Sequence, residues 1–295
     1  MTLPVFWRDA GGAGPEGTVP GSTAPESTVP PASRGGGGAA EASERSREMN
    51  SRFLGPAGAA AAQGSGDTWS KRAQAMRESP THKAGPDLDR VVELCEPAEG
   101  VQAIDVATGG GHVARRLREA GAEVVSLDPA PGMQPDVVAR GEDIPFADGS
   151  FDVAVCRIAA HHFDDVALSV REMARVARDR VVVQDNLFQS EQVEEAERLH
   201  DPSHVRCYSE EEWREFFEAA GLEVDELEIL SRRLPLEPWL ERAETPPDDA
   251  VRVRELLADR TEDGLVETEA IILRGRVRPR LADGSRMVSQ RNLDA

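Results

Sequence analysis

A glycine-rich turn with an acidic residue on either side is the part of this sequence best suited to chemistry. Asp105 stands four residues before the run Gly109–Gly111, and Asp128 follows the first of these glycines by 19 residues. Glycines let the backbone approach a ligand without an intervening Cβ atom, and a carboxylate at this distance can accept hydrogen bonds from a ribose diol. The spacing therefore predicts a site for a ligand that carries a nucleoside.

Two cofactor classes fit this turn, a nicotinamide or flavin dinucleotide and S-adenosylmethionine. The stretch Gly109–Ala114 satisfies the dinucleotide pattern G-x-G-x-x-[G/A], so the turn alone leaves the choice open. Asp105 favours S-adenosylmethionine, because a carboxylate there repels a pyrophosphate and attracts the ammonium group of a methionine moiety. The downstream stretch 141–165 (GEDIPFADGSFDVAVCRIAAHHFDD) is also not typical of a dehydrogenase.

Four motifs, in order, resemble those of class I S-adenosylmethionine-dependent methyltransferases, in particular the group that contains the ubiquinone/menaquinone-biosynthesis C-methyltransferases. The motifs are DVATGGGH (105–112), LDP (127–129), IPFADGSFDVAVCRIAAHHF (144–163) and DPSHVRCYSEEEWREFFEAAGLEV (201–224). The resemblance covers roughly residues 81–277. It implies transfer of a methyl group from S-adenosyl-L-methionine to an acceptor.

The resemblance also implies a role for each matching residue. Asp105 would contact the methionine amino group, Asp128 would accept from both ribose hydroxyls, and the main-chain carbonyl of Arg157 would lie near the sulfonium methyl. The implied cofactor-binding residues are Asp105, Ala107, Thr108, Gly109, Gly110, Gly111, Asp128, Pro129, Gly141, Glu142, Asp143, Ile144 and Arg157.

Two departures from the family pattern concern the cofactor site. Ala107 replaces the first glycine of the usual D-x-G-x-G-x-G. The family's Gly-Asp-Ala before the proline that matches Pro145 is also missing, so Glu142 or Asp143 would have to supply the carboxylate that contacts the adenine amino group.

His161 and His162 are the candidate catalytic residues, because they follow the fourth predicted strand beside the expected methyl group. Methyl transfer needs a general base only when the acceptor must lose a proton. The alternative is that one histidine packs locally and steers the chain into a helix capped by Asp164 or Asp165.

Strands and helices alternate along the chain, which predicts a Rossmann-like α/β fold with a seven-stranded, mostly parallel sheet and helices on both faces. Ligands bind such sheets beyond the carboxyl ends of the strands. Asp105–Gly111, Asp128, Arg140–Ile144 and Arg157–His162 all fall there, so four stretches can build one site. The predicted strands are 101–105, 123–128, 136–140, 151–158, 180–186, 222–230 and 266–277.

Three other segments carry structural expectations. The short connection after the second strand predicts a turn around Pro129–Pro135 in place of a helix. The acidic run Glu191–Glu197 is expected to be a solvated helix face. The region around Trp239, between the last two strands, is expected either to cover the substrate or to pack against the sheet.

Composition divides the chain into three parts. Residues 1–68 hold a GGGG run and few large apolar residues, so they cannot bury enough surface to offset the entropy of ordering and are predicted to be a disordered extension. Residues 69–278 are the predicted methyltransferase domain. Residues 279–295 are a C-terminal tail.

The overall charge and the cysteines restrict the partners. A net charge of −20 disfavours binding to a nucleic acid backbone or an anionic membrane surface, and no apolar run has transmembrane length. The three cysteines show no metal-binding or disulfide spacing, so we expect no metal and a cytoplasmic location.

The resulting hypothesis is methyl transfer from S-adenosylmethionine to a small apolar or aromatic acceptor, at a C, O or N centre that the sequence does not specify. Two alternatives stay open. The protein could bind the cofactor without transferring its methyl group, or it could methylate RNA through local basic stretches such as Arg274–Arg280.

Overall fold

Eight strands form one mixed sheet within residues 66–278, the part of the chain that the computed structural model describes. The order is β3-β2-β1-β4-β5-β8-β6, with β7 paired to β8; β1 to β5 are parallel, and β8 is antiparallel to both β5 and β6. The strands are β1 (Gln102–Val106), β2 (Glu123–Asp128), β3 (Val137–Val138), β4 (Phe151–Arg157), β5 (Ala177–Asn186), β6 (Leu222–Pro235), β7 (Thr261–Glu262) and β8 (Leu265–Val277).

This sheet confirms the predicted Rossmann-like α/β fold and adds one strand to the seven predicted. The extra strand, β7, is only two residues long and forms a hairpin with the start of β8. Asp263 and Gly264 make its turn, with φ angles of 51° and 74°. Two consecutive positive φ angles match the right-handed twist of the paired strands, which allows so short a hairpin to form.

Helices cover both faces of the sheet, and their ends follow the predicted signals. Asp165 caps the helix Val166–Val176 by accepting a hydrogen bond from the Leu168 amide at 2.8 Å. Ser209 and Glu212 form a capping box at the start of the helix Glu210–Ala219. The helices are α1 (Gly66–Glu78), α2 (Pro80–Lys83), α3 (Pro86–Leu94), α4 (His112–Glu119), α5 (Val166–Val176), α6 (Glu191–His200), α7 (Glu210–Ala219), α8 (Leu236–Arg242) and α9 (Pro247–Leu256).

The sheet has a buried apolar layer on each face. On one face, Trp213 and Phe217 of α7 pack with α5 against the strands, and both side chains are fully buried. On the other face, Leu88 of α3 and Leu117 of α4 close the layer. Burial on both faces explains why the central strands read as continuous apolar runs.

A third apolar cluster joins α6, α8 and α9 over one end of the sheet, and Trp239 belongs to it. The helix α1 lies near the same end, where Ala73 packs against Ala130 and Met133. The connection after β2 contains only the 3₁₀ turn Pro131–Met133, as predicted. These elements enclose the carboxyl ends of the parallel strands.

The predicted disordered extension (1–68) and the C-terminal tail (279–295) lie outside the described residues, except for residues 66–68, which begin α1. Within residues 66–278, no helix combines the length and the apolar character needed to cross a bilayer.

Candidate functional site

The glycine turn leaves β1 with its backbone in the left-handed region. Ala107 has φ of 55°, Gly109 of 51° and Gly111 of 74°. Ala107 is thus the residue that departs from the family pattern, and its conformation is one that glycine adopts more easily. The turn is fixed to the neighbouring strand, because the Thr108 amide donates to the Leu127 carbonyl at 3.0 Å.

Asp105 lies inside the sheet at the end of β1, with only 2% of its surface exposed. One carboxylate oxygen accepts from the Thr108 hydroxyl at 2.6 Å and from the Ala114 amide in the first turn of α4 at 3.0 Å. Burial raises the pKa of Asp105 to about 6, although both hydrogen bonds act in the opposite direction. The carboxylate caps α4 and also lines the cavity described below.

Asp128 ends β2, and each of its carboxylate oxygens accepts one backbone hydrogen bond. Oδ2 accepts from the Gly109 amide at 2.9 Å, and Oδ1 accepts from the Ala130 amide at 2.8 Å. Burial raises the pKa of this carboxyl group as well. Asp128 therefore joins the glycine turn of β1 to the exit from β2, with further lone pairs for a ligand.

A cavity of about 210 Å³ opens at the carboxyl ends of the strands, between the glycine turn and the covering helices. It brings together ten of the residues predicted from sequence, which come from β1, β2, β4 and the turn after β4. They are Asp105, Ala107, Thr108, Gly109, Gly110, Asp128, Pro129, Arg157, His161 and His162. Gly111, the residue before α4, is not among the residues that line the cavity.

The structure does not bring the predicted adenine segment to this cavity. Glu142 is bound to Arg140 at 3.1 Å and to the Asp164 amide at 3.0 Å, and Ile144 is buried with its amide donating to Glu172. The other two members, Gly141 and Asp143, are also absent from the lining, within the described residues. Ion pairing inside the segment accounts for its position, and its adenine role stays a prediction.

Arg157 lies at the end of β4 and uses its side chain to fix the cavity floor. The guanidinium donates to Asp87 at 2.7 Å, to Gln184 at 2.8 Å and to the His82 carbonyl at 3.2 Å. Ile158 follows with φ of 52°, a strained conformation for a β-branched residue. Strain of this kind is typical of functional sites, where the surrounding contacts over-determine the backbone.

All six histidines of the chain line the cavity, namely His82, His112, His161, His162, His200 and His204. Burial lowers the pKa of His82 and His200 to about 3 and also lowers that of His112. These imidazoles are neutral at pH 7. The site thus places uncharged hydrogen-bonding rings around the cavity.

The two candidate catalytic histidines differ in their surroundings. Nδ1 of His161 lies 2.5 Å from a carboxylate oxygen of buried Asp185, whose other oxygen accepts from the His161 amide. Burial alone would lower the pKa of His161, but the Asp185 carboxylate reverses the effect and raises it. His162 donates from Nδ1 to the Ser203 carbonyl at 3.1 Å, and burial together with the charge on His161 lowers its pKa to about 3.

The prediction of a solvated face for the acidic run in α6 was correct only in part, because Glu194 and Glu197 turn inward. Glu194 is 3% exposed, and Glu197 lines the cavity. Helical spacing of three residues turns both carboxylates inward, where Glu194 accepts from His204 at 2.9 Å and from the Cys207 amide at 3.1 Å. These partners compensate for the burial of Glu194, and hydropathy alone does not reveal them.

Glu194, His204 and Cys207 are also close enough to act as ligands of a metal ion, with possible ligand atoms within 4.8 Å of one another. In the structure Glu194 accepts the hydrogen bonds just described, whereas Nδ1 of His204 is buried and has no hydrogen-bond partner among the described residues. Trp239 stacks on His200 with ring centroids 3.6 Å apart, packs in the apolar cluster that includes Val266 of β8, and lines the cavity. That its region covers the substrate stays a prediction.

Several known proteins with similar sequences or structures are described as methyltransferases. The family described as "Methyltransferase domain" matches residues 104–183. "Uncharacterized methyltransferase YcgJ" of Bacillus subtilis is 30% identical over 203 residues, which cover 61% of this chain and 80% of that protein. The crystal structure of YcgJ gives a TM-score of 0.57 at 26% identity, covering 65% of this chain and 97% of that chain.

A second relative matches over a shorter range. "Demethylmenaquinone methyltransferase" of Corynebacterium kroppenstedtii is 35% identical over 91 residues, which are 28% of this chain and 40% of that protein. The family match runs from β1 into β5 and includes the glycine turn, Asp128 and both candidate histidines. With a methyltransferase of 30% identity matched over 80% of its length, the chain belongs to the class I methyltransferase family.

Proposed function

We propose that this protein transfers a methyl group from S-adenosylmethionine to a small-molecule acceptor. The observation that carries the proposal is the meeting of two buried carboxylates, Asp105 and Asp128, with the glycine turn at one cavity. They end neighbouring parallel strands, in register with Ser126 and Val138 respectively. Their chemistry suits the ammonium group and the ribose diol of this cofactor.

The position of Asp105 supports S-adenosylmethionine over a dinucleotide. A dinucleotide places its pyrophosphate at the N-terminus of the helix that follows the glycine turn, where backbone amides attract an anion. Here the Asp105 carboxylate already accepts from the Ala114 amide at that helix end. A pyrophosphate bound there would be repelled by the Asp105 carboxylate and would find the Ala114 amide already engaged in a hydrogen bond.

The residues around the cavity suit a reaction that needs alignment and the exclusion of water. When bound, S-adenosylmethionine supplies a methyl group that is already activated on a sulfonium, so the protein has to hold the acceptor in line in a dry pocket. If the acceptor must lose a proton, His161 can take it at Nε2, because Asp185 holds Nδ1. Its raised pKa means that the neutral, accepting form increases as pH rises.

Two features of the whole chain support a small acceptor and a cytoplasmic reaction. The net charge of −20 repels nucleic acid backbones. The three cysteines are buried and free, as suits a reducing compartment.

Calorimetry with S-adenosylhomocysteine, the expected product, tests the cofactor assignment. The wild-type protein should bind it saturably, and Asp128→Asn should weaken binding at least tenfold, because the variant loses the charge and one of its acceptor oxygens. Asp259→Asn, an exposed residue far from β2, is the matched control and should bind as the wild type does. No saturable binding by the wild type, or a change in NADH fluorescence on mixing, would contradict the proposal.

A further inference from the structure

The half of the cavity away from the glycine turn contains a carboxylate that the cofactor contacts proposed above do not use. Glu197 of α6 lines the cavity, and burial raises the pKa of its carboxyl group. No hydrogen bond to this carboxylate comes from residues 69–79 or 82–278, whose side chains the structure describes. Glu197 is only partly buried, so its oxygens can accept a hydrogen bond from a ligand that enters the cavity.

The neighbouring cationic and imidazole side chains form hydrogen bonds to other partners, although Nδ1 of His204 and Nε of Arg232 are buried without one among the described residues. Arg72 binds Asp201 at 3.0 Å and the Ala243 carbonyl. His161 faces Asp185 through Nδ1, and His204 faces Glu194 through Nε2.

The cationic side chain of Arg232 is also held away from Glu197, because it donates to Asn186 at 2.7 Å. The charges of His204, His161 and Arg232 thus act to lower the pKa of Glu197, although none of the three donates a hydrogen bond to its carboxylate.

The cavity wall also carries aromatic side chains. Trp239 stacks flat on His200 at 3.6 Å, and Trp69 of α1 packs edge-on against His162 at 4.8 Å. Both tryptophans line the same cavity as Glu197. Aromatic walls favour a planar, apolar ligand, which can stack without losing hydrogen bonds to water.

The charges around this half of the cavity restrict the ligand further. The carboxylates of Glu197 and Asp201 disfavour an anion, whereas the guanidinium groups of Arg72 and Arg242 disfavour a cation. A neutral ligand avoids both penalties. It can still satisfy Glu197 if it carries an O–H or N–H group.

We infer that Glu197 is the acceptor-recognition residue, whose carboxylate accepts a hydrogen bond from an O–H or N–H group on a neutral, ring-bearing acceptor held against Trp69 and Trp239. The inference rests on the proposed function, since it assigns this half of the cavity to the methyl acceptor. It predicts discrimination between ring compounds that differ only in a hydrogen-bond donor.

The test compares phenol with toluene, two rings of similar size of which only phenol carries a donor. Calorimetry is performed on the full chain saturated with S-adenosylhomocysteine. The wild type should bind phenol at least tenfold more tightly than toluene, and Glu197→Met should reduce this ratio to below about threefold while leaving S-adenosylhomocysteine binding unchanged. Glu197→Gln, which keeps one acceptor oxygen, should give an intermediate ratio.

Glu195→Met is the control, because Glu195 lies on the exposed side of α6 and forms only a surface ion pair with Arg252. It should keep the wild-type ratio. Equal affinity of the loaded wild type for phenol and toluene, or an unchanged ratio in Glu197→Met, overturns the inference and leaves the proposed function intact. If S-adenosylhomocysteine does not bind the wild type, both are overturned.

Discussion

Two residues beside the cavity have backbone conformations that their side chains disfavour. Ala107 follows β1 and Ile158 follows β4, and both have φ angles above 50°. In each case a backbone hydrogen bond fixes the surroundings, from Thr108 to Leu127 and from Ile158 to the Gln184 carbonyl at 2.7 Å. The sheet thus imposes strained turns at the two strand ends where the family resemblance places the cofactor.

Replacing Ala107 by glycine should stabilise the protein despite the greater flexibility of glycine in the unfolded chain. Removing the Cβ atom relieves the strain at φ of 55°, and we expect the free energy of unfolding to rise by about 0.5–1 kcal/mol. Urea denaturation measures the change. Ala219→Gly, in the helical conformation of α7, is the control and should destabilise by about 0.5–1 kcal/mol. Equal effects of the two substitutions would refute the assignment of strain.

The adjacent histidines His161 and His162 should affect stability with opposite pH dependence. Asp185 outweighs burial and raises the pKa of His161, so the folded state keeps a proton that the unfolded state releases. This stabilisation is complete below about pH 6.5 and is lost as pH rises through the raised pKa. Burial lowers the pKa of His162 to about 3, so the folded state resists protonation and is destabilised as pH falls below about 6.5.

Denaturation of the wild type, His161→Gln and His162→Gln between about pH 5 and about pH 8.5 measures both effects. The stability advantage of the wild type over His161→Gln should shrink as pH rises. Its advantage over His162→Gln should grow over the same range. Two advantages that change in the same direction would contradict the pKa direction assigned to one of the rings, and two reversed trends would contradict both.

At the scale of elements, the contact between β8 and α7 depends on a glycine. A Cβ atom at Gly275 would lie 2.7 Å from Cδ1 of Phe217 and 2.9 Å from Cβ of Leu222. Phe217 is fully buried against the sheet, so it cannot move away without disturbing the layer around it. Close packing of α7 therefore requires a strand residue without a side chain at this point.

Gly275→Ala should destabilise the protein by about 1–3 kcal/mol, because it overpacks a filled core. Thermal or urea denaturation gives the value. The double variant Gly275→Ala/Phe217→Leu is the control, since a smaller side chain on α7 makes room for the new methyl group. Its destabilisation should be smaller than the sum of the two single changes. Strict additivity would mean that the ring and the glycine do not compete for space.

The order of elements could be predicted because its signals are local. The apolar run of β1, the glycine turn and the stop at Gly121, which has φ of 98°, all lie within one short stretch. The function of α6 could not be predicted in this way. Its inward face carries Glu194, whose burial depends on hydrogen bonds from residues outside the helix, so the local sequence pattern predicts a solvated helix.

At the scale of the whole molecule, the sequence places four stretches at one end of the sheet, and three of them reach the cavity. The fourth, Arg140–Ile144, is held away by ion pairs to Asp164 and by burial of Ile144. The covering helices α1, α6 and α8 add residues that no motif marks, including Trp69 and Glu197. Tertiary contacts determine which residues of the covering helices line the cavity, and no local sequence pattern encodes these contacts.

Every histidine of the chain lies at one cavity, so the NMR signals of the histidine side chains report on this cavity alone. The chain has six histidines in 295 residues, and none of them lies away from the cavity. In an NMR spectrum of the full-length protein, each imidazole resonance therefore comes from the cavity wall, without background from the surface. A ligand that fills the cavity would shift these signals selectively, whatever its chemical class.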